Sequence, residues 1–112
     1  MEKLIKKLRI FAGERDWEKF HSPKNLSMAL GVEVSEVMEH FQWLTEEESR
    51  NLTPEKKALL EGEIGDVMIY LVRLADTLGI DPLDAALKKA ALNEKRYPVN
   101  KSYGKARKYS DL

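Results

Sequence analysis

Three times in this chain a helix-capping residue stands directly before a proline, at Ser22-Pro23, Thr53-Pro54 and Asp81-Pro82. A Ser, Thr or Asp side chain satisfies the free N–H groups of a first helical turn, and proline is tolerated at the first helical position because its missing N–H would be unpaired there. The three dipeptides therefore predict three helix starts. The first of these helices runs to about Leu44, the next to near Leu78 ahead of Gly79, and the last to Tyr97-Pro98. Leu4, Ile5, Leu8 and Phe11 or Ala12 recur at helical spacing and predict a further helix from about Glu2 to Arg15. A loop from Asp16 to His21 carries Trp17 and Phe20, and Thr45 with Glu48 has the spacing of a capping box. No strand pattern, repeat or low-complexity tract is present, so the expected class is all-α. We expect one helical domain over residues 1–98 and a basic, apolar-poor tail or flexible arm over 99–112 with Lys101, Lys105, Arg107 and Lys108.

With 112 residues the chain has the length of a single domain. It is 43% apolar, enough for a core, and 34% charged, as solvated helix faces require. The net charge is zero, so no global field favours nucleic acid or an anionic membrane. The lack of cysteine excludes a disulfide framework, thiolate zinc sites and thiol catalysis, and suits a reducing compartment. The first residues alternate charged with apolar side chains and do not form a signal peptide, and no stretch has transmembrane length. The expected setting is the cytoplasm.

Chemistry concentrates in two acidic steps, Glu33-x-x-Glu36 and Glu63-x-x-Asp66, one on each central helix. Residues three apart on a helix are neighbours. On the first of these helices Leu26, Leu30, Val34, Val37, Phe41 and Leu44 form an apolar face, with Glu33, Glu36, His40 and Trp43 along its edge. On the second, Ile64, Val67, Met68, Leu71, Ala75 and Leu78 form the face, with Glu63, Asp66, Tyr70 and Arg73 beside it. Beyond that stripe lies another non-polar strip of Gly62, Gly65, Ile69 and Val72. Two glycines inside a helix cost about 1 kcal/mol each relative to alanine, which calls for another backbone packed closely against them.

The acidic stripes are then either an ordinary solvated face or a carboxylate cluster in a cleft. Such a cluster requires a cation or raised pKa values. No Glu-x-x-His step of the di-iron kind occurs around these acids, and two histidines are few for zinc. Oxygen-only ligands point to Mg²⁺, with Mn²⁺ as the alternative, and Mg²⁺ sites commonly handle phosphates. Lys89, Asn93 and Arg96 share one face of the last helix. They are either a strip able to meet a polyphosphate or a basic helix end favoured by the macrodipole.

Taken in order, Arg15-Asp16-Trp17-Glu18-Lys19-Phe20-His21, Asn25-Leu26, Ala29-Leu30, Glu33-Val34-Ser35-Glu36, Phe41-Gln42-Trp43, Glu63-Ile64-Gly65-Asp66-Val67, Ile69-Tyr70-Leu71, Lys89 with Asn93, Arg96-Tyr97-Pro98 and Lys108-Tyr109 resemble the MazG-like all-α nucleoside triphosphate pyrophosphohydrolases. The resemblance spans nearly the whole chain and is nearest to the dCTP pyrophosphatase branch. The family motif often opens with two adjacent glutamates, and Val32 replaces the first of them here.

The resemblance implies a four-helix bundle completed by oligomerisation, as a homodimer or homotetramer. It also implies Mg²⁺ held by Glu33, Glu36, Glu63 and Asp66. The implied reaction is hydrolysis of a nucleoside triphosphate between the α and β phosphates, with dCTP or a modified dCTP as substrate, in nucleotide-pool sanitation. Trp17, His21 and Trp43 would line the base pocket, Tyr70 and Asn93 would hold sugar or pocket geometry, and Lys89 and Arg96 would meet the phosphates. His40 matches no family motif and is expected to be structural or on the surface. The alternatives are a pyrophosphatase of broad or non-standard nucleotide specificity and a non-catalytic helical interaction module. Nucleic-acid binding through the basic tail is disfavoured by zero net charge and the acidic cleft.

Overall fold

A computed structural model describes all 112 residues, and every regular element in it is helical. The chain forms two units, Met1–Ile80 and Asp81–Leu112. In the first unit α1 (Glu2–Glu14) is followed by a 3-10 turn (Glu18–Phe20), α2 (Pro23–Glu39), the short α3 (Glu46–Arg50) and α4 (Pro54–Thr77). The second unit holds α5 (Pro82–Arg96), the single turn α6 (Val99–Ser102) and a 3-10 turn at Tyr109–Asp111.

The capping signals act as expected. Ser22, Thr53 and Asp81 each accept a hydrogen bond from the backbone N–H three residues on, at 3.1, 3.2 and 2.9 Å. Thr45 and Glu48 form the reciprocal box, at 2.9 and 3.1 Å. α1 ends in a Schellman turn, in which Trp17 N–H donates to Ala12 O and Asp16 N–H to Gly13 O. Asp16 takes the left-handed conformation there (φ 55°), a place usually filled by glycine. α4 closes the same way, with Gly79 at φ 68° and Ile80 N–H donating to Ala75 O.

α2 stops at Glu39, five residues short of the expected Leu44. Phe41, Gln42 and Leu44 N–H instead close tight turns onto Met38 and Phe41 carbonyls, so the chain can swing into the Thr45 cap. Trp43 consequently lies in a turn, off the helix.

α2 and α4 form the main pairing, and α1 packs on α4. The two long helices run antiparallel: His21 meets Arg73 at one end and His40 meets Glu63 at the other. Leu26 (1% exposed) and Val72 (0%) are the largest fully buried side chains, joined by Leu8, Ala12 and Ala75.

The expected face of α4 needs correction. Ile64, Met68, Leu71 and Leu78 are exposed, whereas Leu60, Glu63, Val67, Tyr70 and Leu74 are at least half-buried. On α2 the matching residues are Leu26, Ala29, Leu30, Glu33, Glu36, Val37 and His40. The acidic stripes therefore lie in the seam between the helices and not along its edge. α4 is apolar on both flanks of its stripe, and within the first unit α2 and α1 are its main partners. Nothing lies within 4 Å of a Cβ built on Gly62 or Gly65, so no element of this chain makes the close approach expected there.

In the second unit the Tyr109 ring packs edge-on to Tyr97 at 6.0 Å and under the Arg96 guanidinium at 4.5 Å. These contacts tie the end of the chain to the end of α5.

Leu26→Ala is expected to cost about 2–5 kcal/mol in urea unfolding, and Thr45→Ala about 1 kcal/mol. A smaller loss from Leu26→Ala than from Thr45→Ala would show that the α2–α4 seam is not the stabilising core.

Candidate active site

The seam brings oxygens of Glu33, Glu36 and Glu63 within 4.8 Å of one another, all on half-buried residues. Each pair is set by helical geometry: Glu33 and Glu36 stand one turn apart on α2, and α4 presents Glu63 opposite them. Asp66 is exposed and stands outside this closest group, but its charge reaches Glu33. Burial, then hydrogen bonding to Glu36 and the charges of Glu36, Asp66 and Glu63, raise the Glu33 carboxyl above its ordinary pKa. Glu63 is raised as well, first by hydrogen bonding to Glu36 and then by burial. Glu33 Oε2 is fully buried with no hydrogen-bond partner.

An orphaned carboxylate oxygen among two further carboxylates is a donor set that fits a hard divalent cation. His40 Nε2 lies 3.7 Å from Glu63 Oε1, so the imidazole set aside in the sequence touches a candidate ligand. Helical spacing already sets His40 one turn beyond Glu36 on the same stripe.

A cavity of about 200 Å³ opens beside the cluster, lined by Leu8, Phe11, Trp17, His21, Asp66, Tyr70 and Arg73 among others. Asp66, whose charge reaches Glu33, belongs to this wall. The Schellman turn after α1 delivers Trp17, whose ring packs edge-on against Phe11 at 5.6 Å and His21 at 6.3 Å. Asn25 Nδ2 donates to Phe20 O at 3.0 Å and holds the turn that carries His21. Trp17, His21 and Tyr70 are thus brought together with Asp66. Trp43 is 87% exposed and is not among the lining residues. Lys89, Asn93 and Arg96 lie on α5 in the second unit, the first two exposed.

Arg73 was noted in the sequence only as part of the stripe. It proves to be the one buried charged residue. Its Nη1 lies 3.7 Å from Asp76 Oδ2, and Asp76 is held in turn by Arg9 at 2.6 and 2.8 Å. Two larger open grooves, of about 430 and 630 Å³, flank the α3 segment and contain none of the clustered carboxylates.

Comparison with known proteins adds to this geometry. The model of the MazG-like family matches residues 28–112. The chain is 48% identical over 104 residues to dCTP pyrophosphatase 1 of Bos taurus, and 45% identical over 104 residues to the protein of that name in Homo sapiens. These alignments take in 91% of this chain and 62% and 61% of the relatives, so the chain spans under two thirds of the length of the curated relatives it matches. The crystal structure of a pyrophosphatase from Archaeoglobus fulgidus superposes with a TM-score of 0.82 at 41% identity, covering 88% of this chain and 92% of that one. With the family matched over most of its residues and the all-α fold shared, the chain belongs to the MazG-like family.

Proposed function

We propose that this protein is a Mg²⁺-dependent nucleoside triphosphate pyrophosphohydrolase. It cleaves dCTP or a modified dCTP between the α and β phosphates, and the monophosphate and pyrophosphate products remove that nucleotide from the pool. The observation that carries this reading is the group of three carboxylates, whose electrostatic neighbour Asp66 stands on the wall of the aromatic cavity. The names of the bovine and human relatives and of the archaeal pyrophosphatase point the same way.

Glu33, Glu36, Glu63 and Asp66 would hold the cation. When bound it neutralises phosphate oxygens and lowers the pKa of the attacking water. Within the chain, a carboxylate of the Glu33/Glu36 pair is the group available to accept that water's proton. Trp17 offers a face for the base and His21 a polar contact, and Tyr70 holds the pocket wall. Trp43, Lys89, Asn93 and Arg96 are assigned to base, sugar and phosphates by the family resemblance. Mn²⁺ is expected to substitute for Mg²⁺. The setting implied is the cytoplasmic nucleotide pool.

The working form is a homodimer or homotetramer. Ile64, Met68 and Leu71 leave an apolar strip on α4 uncovered, and Gly62 and Gly65 leave room for a close helix. Met68→Glu is expected to convert the oligomer to monomer in analytical ultracentrifugation. A wild type that sediments as a monomer at micromolar concentration would refute the assembly.

Pyrophosphate release from a panel of nucleoside triphosphates with Mg²⁺ tests the activity. Wild type is expected to favour dCTP, and Glu63→Gln to lose turnover while its circular dichroism is unchanged. No turnover of any nucleotide by wild type would refute the enzymatic reading.

The cation has its own signature. Glu33 and Glu63 are raised above the ordinary carboxylate value of 4.5. The native state therefore keeps protons that the unfolded chain has released, and the stability they contribute is lost as pH rises through the raised values. Without metal, the midpoint of thermal unfolding is expected to fall between pH 4.5 and neutrality, and to fall less in Glu33→Gln. Mg²⁺ at a hundred times its Kd should restore about 2.7 kcal/mol to wild type at neutral pH and much less to Glu33→Gln. Equal Mg²⁺ responses in the two proteins would remove Glu33 from the ligand set.

A further inference from the structure

We propose that Arg73 is a positioning residue that fixes the polarity of His21, and so selects ligands presenting a hydrogen-bond acceptor to the cavity, cytosine before thymine or uracil. The inference deepens the proposed function and rests on it for the identity of the ligand as a nucleotide.

The argument starts from one contact. Arg73 Nη2 lies 3.4 Å from His21 Nδ1. A guanidinium has five donors, no acceptor, and does not deprotonate. Nδ1 must therefore accept, which places the single ring proton on Nε2. The opposite tautomer would set an Nδ1–H against a guanidinium N–H, and the imidazolium would add a second positive charge. Burial, and then the Arg73 charge, lower the His21 pKa, with Glu18 opposing them. Asp66 and Tyr70 share the cavity wall, and Asp76 with Arg9 stands behind Arg73. The neutral ring with Nε2–H is the form this setting holds.

Nε2 has no partner within the chain, while His21 lines the cavity. Arg73 itself is enclosed. Its side chain is 7% exposed, its Nε is buried without a partner, and its only counter-charge, Asp76, is shared with Arg9. The cavity thus offers one fixed donor, at His21 Nε2. Cytosine presents an acceptor, N3, to such a donor. Thymine and uracil carry a hydrogen on N3, which faces a fixed donor with a donor and leaves both unpaired. An imidazole free to change tautomer could turn an acceptor toward that hydrogen. Arg73 removes this freedom.

Three variants separate the polarity lock from simple packing. Lysine, like arginine, can only donate, so Arg73→Lys preserves the lock. The amide of Arg73→Gln donates or accepts and releases it. Arg73→Met removes the partner altogether. Long-range ¹H–¹⁵N NMR of the imidazoles reads the tautomer without ligand or metal, and the chain has only two histidines to assign. Wild type and Arg73→Lys are expected to show His21 as Nε2–H, and Arg73→Gln and Arg73→Met a tautomer mixture.

Binding of dCMP and dTMP, followed by calorimetry, should favour dCMP in wild type and Arg73→Lys. The preference should shrink roughly tenfold in Arg73→Gln, chiefly through tighter dTMP binding. With triphosphates the same change should appear in KM with kcat retained. An Nδ1–H or doubly protonated His21 in wild type at neutral pH would overturn the proposal, and so would a dCMP preference unchanged in Arg73→Gln. Failure of pyrophosphate release alone would sink the catalytic reading and leave this one to the tautomer and monophosphate measurements.

Discussion

The constraint on which this structure turns is the placement of like charges inside its principal helix pairing. α2 and α4 bury Leu26 at one end of their seam and carry Glu33, Glu36 and Glu63 further along it. An ordinary helix pair would fill those positions with leucine and gain stability from each. Here the pairing must be maintained despite a clustering of carboxylates that raises the pKa values of Glu33 and Glu63. The support comes from elsewhere: capped starts on both helices, the reciprocal box before α4, and α1 clamped to α4 by the Arg9–Asp76 pair. Local devices of this kind hold a functional cluster that tertiary packing alone would not favour.

From this follows a division of charge within the first unit. The acidic group offers oxygen donors that suit a cation. At the far end of the same pairing, the cavity under Trp17 holds a guanidinium without a full counter-charge and an imidazole held neutral by it. Asp66 lines that cavity, and its charge reaches Glu33. The proposed nucleotide, anionic at one end and a flat heterocycle at the other, would meet the two environments in turn.

Much of this was legible in the sequence, and the reasons are local. Ser22-Pro23, Thr53-Pro54 and Asp81-Pro82 specify helix starts through bonds made within four residues, so they hold whatever the rest of the chain does. The carboxylate positions were legible because spacing on a helix is rigid. The end of α2 was not, because the periodic pattern through Phe41 and Leu44 continues past the point where tight turns replace the helix. Nor could the sequence decide which flank of α4 is covered, since Ile64-Met68-Leu71 and Ile69-Val72 are equally apolar. Only the neighbours present distinguish them. Arg73 escaped notice because an arginine on a helix edge is normally solvated, and its burial arises from contacts with His21, 52 residues away, and Asp76.

The ion chain from Arg9 through Asp76 to Arg73 has a consequence for how such a sequence can change over time. Arg9 lies on the outer side of α1 and touches nothing in the cavity, yet it holds the carboxylate that accompanies the buried guanidinium. Loss of Asp76 would leave two cations near each other, one of them without access to water. Loss of Arg9 would return Asp76 wholly to Arg73. Positions 9, 73 and 76 therefore form a single unit of inheritance. Relatives that keep an arginine at the cavity wall should keep all three, and those with a small apolar residue there are released from the other two.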